Sequence, residues 1–169
     1  MRSDLERECR VSLRPYSFVA RKGGSRESPM VCVLWLEPQQ VTLMAFAEPM
    51  AQDVALSVKQ VVDNSTLHIA ELKSCGAWAK ANEIFDLMAK SAPVFKDEVA
   101  WQTATVVRTH VALRPNTADI RVACLSNPGL PTQGQPQDVL IRLDEVLCHR
   151  FVQAILDATH IDVAGTDHH

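Results

Sequence analysis

Residues 99–113 read VAWQTATVVRTHVAL and have the clearest β-strand pattern in the chain. Their odd positions are mostly apolar or β-branched, whereas the even positions include Arg108 and His110. A period of two with many β-branched residues is typical of a long strand with one buried face. The pattern therefore predicts that Arg108 and His110 face away from the core. The side chains predicted to face the core are Trp101, Val107 and Val111.

Further strands are predicted on both sides of this one. Downstream, RPNT at 114–117 predicts a turn, and residues 118–126 return as the hairpin partner. Upstream, the predicted strands cover residues 9–19, 30–36 and 41–47. Pro15 interrupts the first of these, which predicts an edge strand or a bulge, because proline cannot donate a hydrogen bond to a neighbouring strand.

Apolar residues that recur every three or four positions predict three helices, over residues 50–62, 74–91 and 140–158. With a short strand over 66–72, the order is β-β-β-α-(β)-α-β-β-α. Short turns between strands favour an α+β fold, in which an antiparallel sheet, a meander plus a long hairpin, has its helices packed on one face. We expect a single domain over residues 1–169. It has an exposed Pro/Gly/Gln loop at 127–138 and a frayed tail at 164–169.

This element order, in a small acidic chain, resembles that of the type III secretion effector chaperones. The resemblance lies in order and size and is carried by no motif, and the helix at 74–91 departs from it. It implies a chaperone-like, protein-binding role in the cytoplasm.

Charge is unevenly distributed along the chain. Residues 1–26 contain seven basic and three acidic side chains, a net of +4, which leaves −7 for the remainder of a chain whose total is −3. Such asymmetry points to an acidic partner or a nucleic acid, with Arg21, Lys22 and Arg26 as candidate contacts. Nucleic acid is the weaker interpretation, because the chain is acidic overall and Tyr16 and Phe18 are the only aromatic residues in the basic segment.

The five cysteines are Cys9, Cys32, Cys75, Cys124 and Cys148, with no C-x-x-C motif. This odd, widely spaced set excludes a zinc ribbon and disfavours a disulfide framework, so we expect buried thiols in a reducing, cytoplasmic protein. The charged N-terminus lacks the apolar region of a secretory signal, and no apolar run reaches the ~18 residues of a membrane span.

No cofactor and no metal site are expected from the sequence. The standard nucleotide-binding and zinc-protease motifs are absent. Glu145 and His149 lie one helical turn apart, but two ligands do not make a metal site, and an acid–histidine pair is the simpler explanation.

Cysteine hydrolysis is the catalytic alternative. Cys75 lies at the predicted start of a helix, whose partial positive charge favours the thiolate, and His110 and Asn116 follow in the chain order of papain-like hydrolases. The segment SCGAW at 74–78 is similar to the papain signature but has Ala77 where that signature has a second cysteine.

The final predicted helix is long enough either to brace the sheet or to form a homodimer seam. Its apolar face includes Leu140, Leu147 and Phe151, which are candidate partner contacts. Because no catalytic set is complete, the preferred prediction is a small protein-binding module without catalytic activity: an adaptor, a chaperone-like protein or an assembly subunit. Its partner would be another protein chain or a second copy.

Overall fold

A computed structural model describes residues 11–67, 77–91, 104–125 and 136–159. The strands are β1 (Val11–Leu13), β2 (Ser17–Gly24), β3 (Pro29–Leu36), β4 (Val41–Ala47), β5 (Ala104–Arg114), β6 (Thr117–Leu125) and β7 (Gln137–Leu143). The helices are α1 (Glu48–Asp63), α2 (Ala77–Ser91) and α3 (Glu145–Thr159). Seven strands form one sheet in the order β1-β7-β6-β5-β4-β3-β2.

The α+β class is confirmed, but the predicted antiparallel sheet is wrong in detail, because the sheet is mixed. β1 runs parallel to β7 and β4 runs parallel to β5, while the other neighbouring strands are antiparallel. A parallel pair needs a long crossover between its strands, and α1 and α2 both lie in the connection from β4 to β5. The prediction of helices on one face is also wrong, because α2 packs on the opposite face from α1 and α3.

The strand β7 was predicted as the end of a loop and the beginning of the last helix. Its sequence, QDVLIRL, has apolar residues at both helical and strand spacing, so the period did not decide between them. The helix begins after Asp144, whose Oδ1 accepts a hydrogen bond from the Leu147 backbone N–H at 2.9 Å, as an N-cap does. The helix α3 therefore has 15 residues, about 22 Å in length.

Pro15 lies between two edge strands, so the single strand predicted over residues 9–19 is wrong, although the prediction of an edge strand is confirmed. β1 and β2 are consecutive in the chain, yet they lie at opposite ends of the strand order. The Cα atoms of Leu13 and Ser17 are four residues apart and so at most about 14 Å from each other. In a flat sheet of seven strands the outer two would be about 29 Å apart. The sheet is therefore strongly curled, which brings its edges together.

The concave face of the curled sheet holds α1 and α3. The helix α3 packs against β2 and β3 and also against β6 and β7, which only a position inside the curl allows. Three aromatic rings join the elements there: Phe18 lies 5.3 Å from Trp35, and both lie within 5.9 Å of Phe151. On the convex face, Ala81 and Phe85 of α2 pack against apolar side chains of β2, β3 and β4.

The predicted buried face of β5 is wrong at one position, because the strand contains a β-bulge. Val106 pairs with Cys124 and Arg108 pairs with Ala123, so Val107 is an extra residue. Val106 is buried in the concave core, and Val107, which was predicted to be buried, is 42% exposed. Val111 packs against that core, and Arg108 and His110 lie on the opposite face, as predicted.

Several predictions fall outside the described residues. These are Trp101, most of the short strand at 66–72, most of the loop at 127–138, the tail at 164–169, and Cys9 and Cys75.

Candidate partner-binding site

The strand β2 is an edge of the sheet that, among the described residues, pairs only with β3. Its first half is buried, whereas residues 20–24 are half-buried or exposed. The outer side of an edge strand presents backbone N–H and C=O groups that a further strand can pair with. The accessible stretch of five residues is about 17 Å long.

A groove of about 410 Å³ runs beside this edge, between the two helices that flank it. Asn82 of α2 forms one wall and Asp157 of α3 forms the other. Three alanines, Ala20, Ala154 and Ala158, also line the groove, and their small side chains leave room for those of another chain. The volume lies within the range of about 300–1,000 Å³ that is common for binding clefts.

A second cleft, of about 720 Å³, adjoins the groove at Lys22 and follows the hairpin between β2 and β3. Glu48 at the start of α1 and Arg26 in the turn line it. Gly24 has a φ of 75°, and a Cβ at this position would collide with the Ser28 carbonyl oxygen, so the tight turn requires glycine. The two clefts together make a continuous surface along the β2 edge.

The structure places the three candidate cations Arg21, Lys22 and Arg26 along this surface in two different roles. Arg21 contacts two side chains of α2. Its Nη1 lies 2.6 Å from Asp86 Oδ1, and its guanidinium lies 4.4 Å from the centre of the Phe85 ring. Arg21 therefore fastens α2 to the sheet edge. The side chain of Lys22 is 51% exposed and 3.9 Å from Glu48, and Arg26 is exposed in the turn. Lys22 and Arg26 are accessible to a partner.

The three apolar candidates are placed in the interior of the chain. Leu140 is 2% exposed on β7, and Leu147 and Phe151 are 3% and 1% exposed on α3. Of the residues of α3, only Gln153 and Asp157 are exposed, because the curled sheet and α1 surround the helix. A homodimer seam through the C-terminal helix would need these side chains at the surface, where the structure does not place them.

Within the described residues, the structure does not bring the catalytic candidates together. Cys75 lies outside them, so the predicted contact with His110 stays a prediction. His110 is exposed on β5 opposite Arg121, and Asn116 occupies the β5–β6 turn with a φ of 62°. Within the described ranges, no three histidine, cysteine, aspartate or glutamate residues are grouped so that they could hold a metal ion.

The described cysteines are buried free thiols, namely Cys32, Cys124 and Cys148. Burial raises the pKa of each from an ordinary 9.0 to about 12. The charge of Asp138 adds to the effect of burial on the pKa of Cys124. These thiols are therefore protonated at neutral pH and unsuited to act as nucleophiles.

Sequence reasoning identified the basic residues of the edge but missed the groove. The groove is formed by β2, α2 and α3, which are far apart in the chain. One signal was available: Ala154 and Ala158 are four residues apart on α3 and so lie on one face of the helix, where they leave space.

No known protein family, curated protein or solved structure matches this chain. Across the described residues, none of the helices has the length and apolar character needed to cross a membrane.

Proposed function

We propose that the protein is a non-catalytic protein-binding module that takes up an extended acidic segment of a partner chain along the β2 edge. The observation that carries the proposal is the accessible edge of residues 20–24, flanked by a groove between α2 and α3. In binding by strand addition, backbone hydrogen bonds supply affinity and the flanking pockets select the side chains. Ala20, Ala154 and Ala158 leave room for apolar side chains on the inward positions of the bound segment.

Charge favours an acidic partner over a second copy of this chain. Antiparallel pairing of residues 20–24 with the same residues of a second copy would place Lys22 opposite Lys22. Like charges directly opposite each other destabilise a strand pair. An acidic segment would instead meet Lys22 and Arg26, the two accessible cations of the edge. We infer that the protein uses this surface as an adaptor, a chaperone-like protein or an assembly subunit.

A reducing, cytoplasmic location is part of the proposal. Three free thiols in the described core support it, because oxidising compartments favour disulfides in small proteins.

The test uses a fluorescent peptide of alternating glutamate and valine, with a lysine–valine peptide as its charge-reversed counterpart. We expect the acidic peptide to bind in fluorescence anisotropy and to slow amide hydrogen exchange in residues 20–24. The double variant Lys22→Glu, Arg26→Glu should lose binding by about tenfold or more, because two charge-assisted contacts become repulsive. The matched control is Lys80→Glu, an exposed cation on α2 that lines neither cleft.

Four results would overturn the proposal. They are no binding of the acidic peptide, equal binding of both peptides, binding that Lys22→Glu, Arg26→Glu leaves unchanged, and binding that gives β2 amides no added protection.

A further inference from the structure

The register of β2 determines which of its residues direct their backbone groups to the sheet edge. In an antiparallel pair, residues that exchange hydrogen bonds alternate with residues whose N–H and C=O point away from the partner strand. The Ser25 N–H donates to the Ser28 carbonyl at 3.2 Å, so this is a hydrogen-bonded position. The next pair includes Pro29, which has no N–H to donate to β2, as a position of the other kind allows. The same alternation, continued along β2, directs the backbone groups of Ala20 and Lys22 outward.

The same two residues turn their side chains to the concave face. Lys22 Nζ lies 3.9 Å from Glu48 of α1, and Ala20 packs against the concave core. Arg21, between them, contacts α2 on the convex face. Directly opposed residues of neighbouring strands have their side chains on the same face of the sheet. A segment that pairs with the edge therefore directs its side chains opposite Ala20 and Lys22 to the concave side, where α3 lies.

These two positions have different surroundings. Three small residues line the groove, and we call them the alanine pocket: Ala20, Ala154 and Ala158. The space that they leave suits a branched apolar side chain. The carboxylate of Asp157 lies on the same α3 wall and disfavours an acidic side chain there. Lys22 instead has Arg26 beyond it in the second cleft, so an acidic side chain is favoured at that end of the edge.

We propose that the bound segment runs antiparallel to β2 and has the order acidic–any–apolar, with its apolar side chain in the alanine pocket. This inference rests on the proposed function and specifies its ligand. Antiparallel pairing is more stable per residue than parallel pairing. In that direction, the residue opposite Lys22 precedes the residue opposite Ala20 by two positions. Strict alternation of acidic and apolar residues satisfies only one of the two positions, because residues two apart in a strand share a face.

The order of the segment is tested with two peptides of identical composition, Ser-Glu-Thr-Val-Ser and Ser-Val-Thr-Glu-Ser. Both are blocked at their ends, and their binding to the natural full chain is measured by fluorescence anisotropy. We expect the first peptide to bind about tenfold or more tightly than the second. In antiparallel pairing, the second peptide would place valine opposite Lys22 and glutamate in the alanine pocket beside Asp157, and so lose both favourable contacts.

The alanine pocket is tested with the variant Ala154→Leu. Leucine is a good helix former, and its larger side chain fills the space beside β2. The natural chain should bind Ser-Glu-Thr-Val-Ser about tenfold more tightly than Ser-Glu-Thr-Ala-Ser, and Ala154→Leu should remove that preference by weakening only the valine peptide. The matched control is Ala79→Leu, the same substitution at an exposed position of α2 that lines neither of the two clefts, which should keep the preference. A thermal melt verifies that both variants fold.

The outcomes separate this inference from the proposed function. Equal binding of the two peptide orders, or tighter binding of the reversed order, would overturn the inference alone. A preference for valine that Ala154→Leu leaves intact would do the same, as would failure of both orders where the alternating glutamate–valine peptide binds. If no peptide binds, the proposed function and the inference both fail. A dimer of the natural chain that excludes the peptides in sedimentation would assign the edge to a second copy and overturn both.

Discussion

Val106 and Val107 are chemically identical neighbours that the bulge in β5 places in opposite environments. Val106 is 3% exposed in the concave core, and Val107 is 42% exposed. Strand alternation without a bulge would bury Val107 together with Val111. We therefore predict that aspartate at position 106 is far more destabilising than aspartate at position 107.

The expected difference follows from burial. Val106→Asp loses about 1.5–3 kcal/mol of apolar burial, and an unpaired buried carboxylate adds several kcal/mol more, so the total is at least about 4 kcal/mol. Val107→Asp loses part of that burial and some β-propensity, about 1 kcal/mol. For a chain of 169 residues, a difference of about 3 kcal/mol separates the two melting temperatures by about 6–12 °C.

Urea denaturation followed by tryptophan fluorescence measures the free energy of unfolding of each variant. If Val106→Asp does not fold, the pair Val106→Thr and Val107→Thr tests the same point. Threonine has the shape of valine, and its hydroxyl costs about 1–3 kcal/mol only where it is buried without a partner. Equal destabilisation at the two positions, or a larger effect at position 107, would refute the bulge and the strand register built on it.

Three further predictions concern the sheet edge, the buried carboxylate and the thiols. Arg21→Ala should lower the free energy of unfolding by only about 1 kcal/mol, because its ion pair is partly exposed, but hydrogen exchange in α2 should accelerate; Lys22→Ala should leave α2 unchanged. Asp119→Ala should cost about 3–5 kcal/mol in urea denaturation, because it leaves two arginines without their carboxylate, and adding Arg142→Ala should cost less than the sum of the two single changes. Above pH 9 the unfolded thiols ionise while the folded ones, with a pKa of about 12, stay protonated, so stability should fall between pH 9 and pH 12 by up to about 1.4 kcal/mol per pH unit for each thiol. A flat alkaline profile, or iodoacetamide labelling that mass spectrometry maps to Cys32, Cys124 or Cys148 in the folded protein, would contradict the assigned burial of these three thiols.

The individual helices and strands were largely predictable from the sequence, because each depends on a local pattern of residues. The strands β3 and β6, the helix α1 and the end of β5 were predicted within two residues of their bounds, because each has a clear period and a turn signal at its end; the predicted start of β5 lies outside the described residues. Pro15 marked an irregularity in the first predicted strand for the same local reason, but the sequence did not show that the chain divides there into two strands. Of the proposed partner surface, the sequence identified the basic residues Lys22 and Arg26, since exposed charge is readable without knowledge of packing.

Tertiary structure alone decided how these elements were joined. A sequence period does not state which strands are neighbours, so the parallel pairing of β4 with β5 and the placement of β1 and β2 at opposite edges of a curled sheet were not readable from it. The strand β7 was not predicted, because its apolar residues fit both a helical and a strand period. The extra residue in β5 places Val106 in the core instead of Val107. The groove beside β2 required Asn82 and Ala154, at least 58 residues from that strand in the chain, to lie next to it. Such contacts depend on the burial of apolar surface over the whole chain, which no local segment determines.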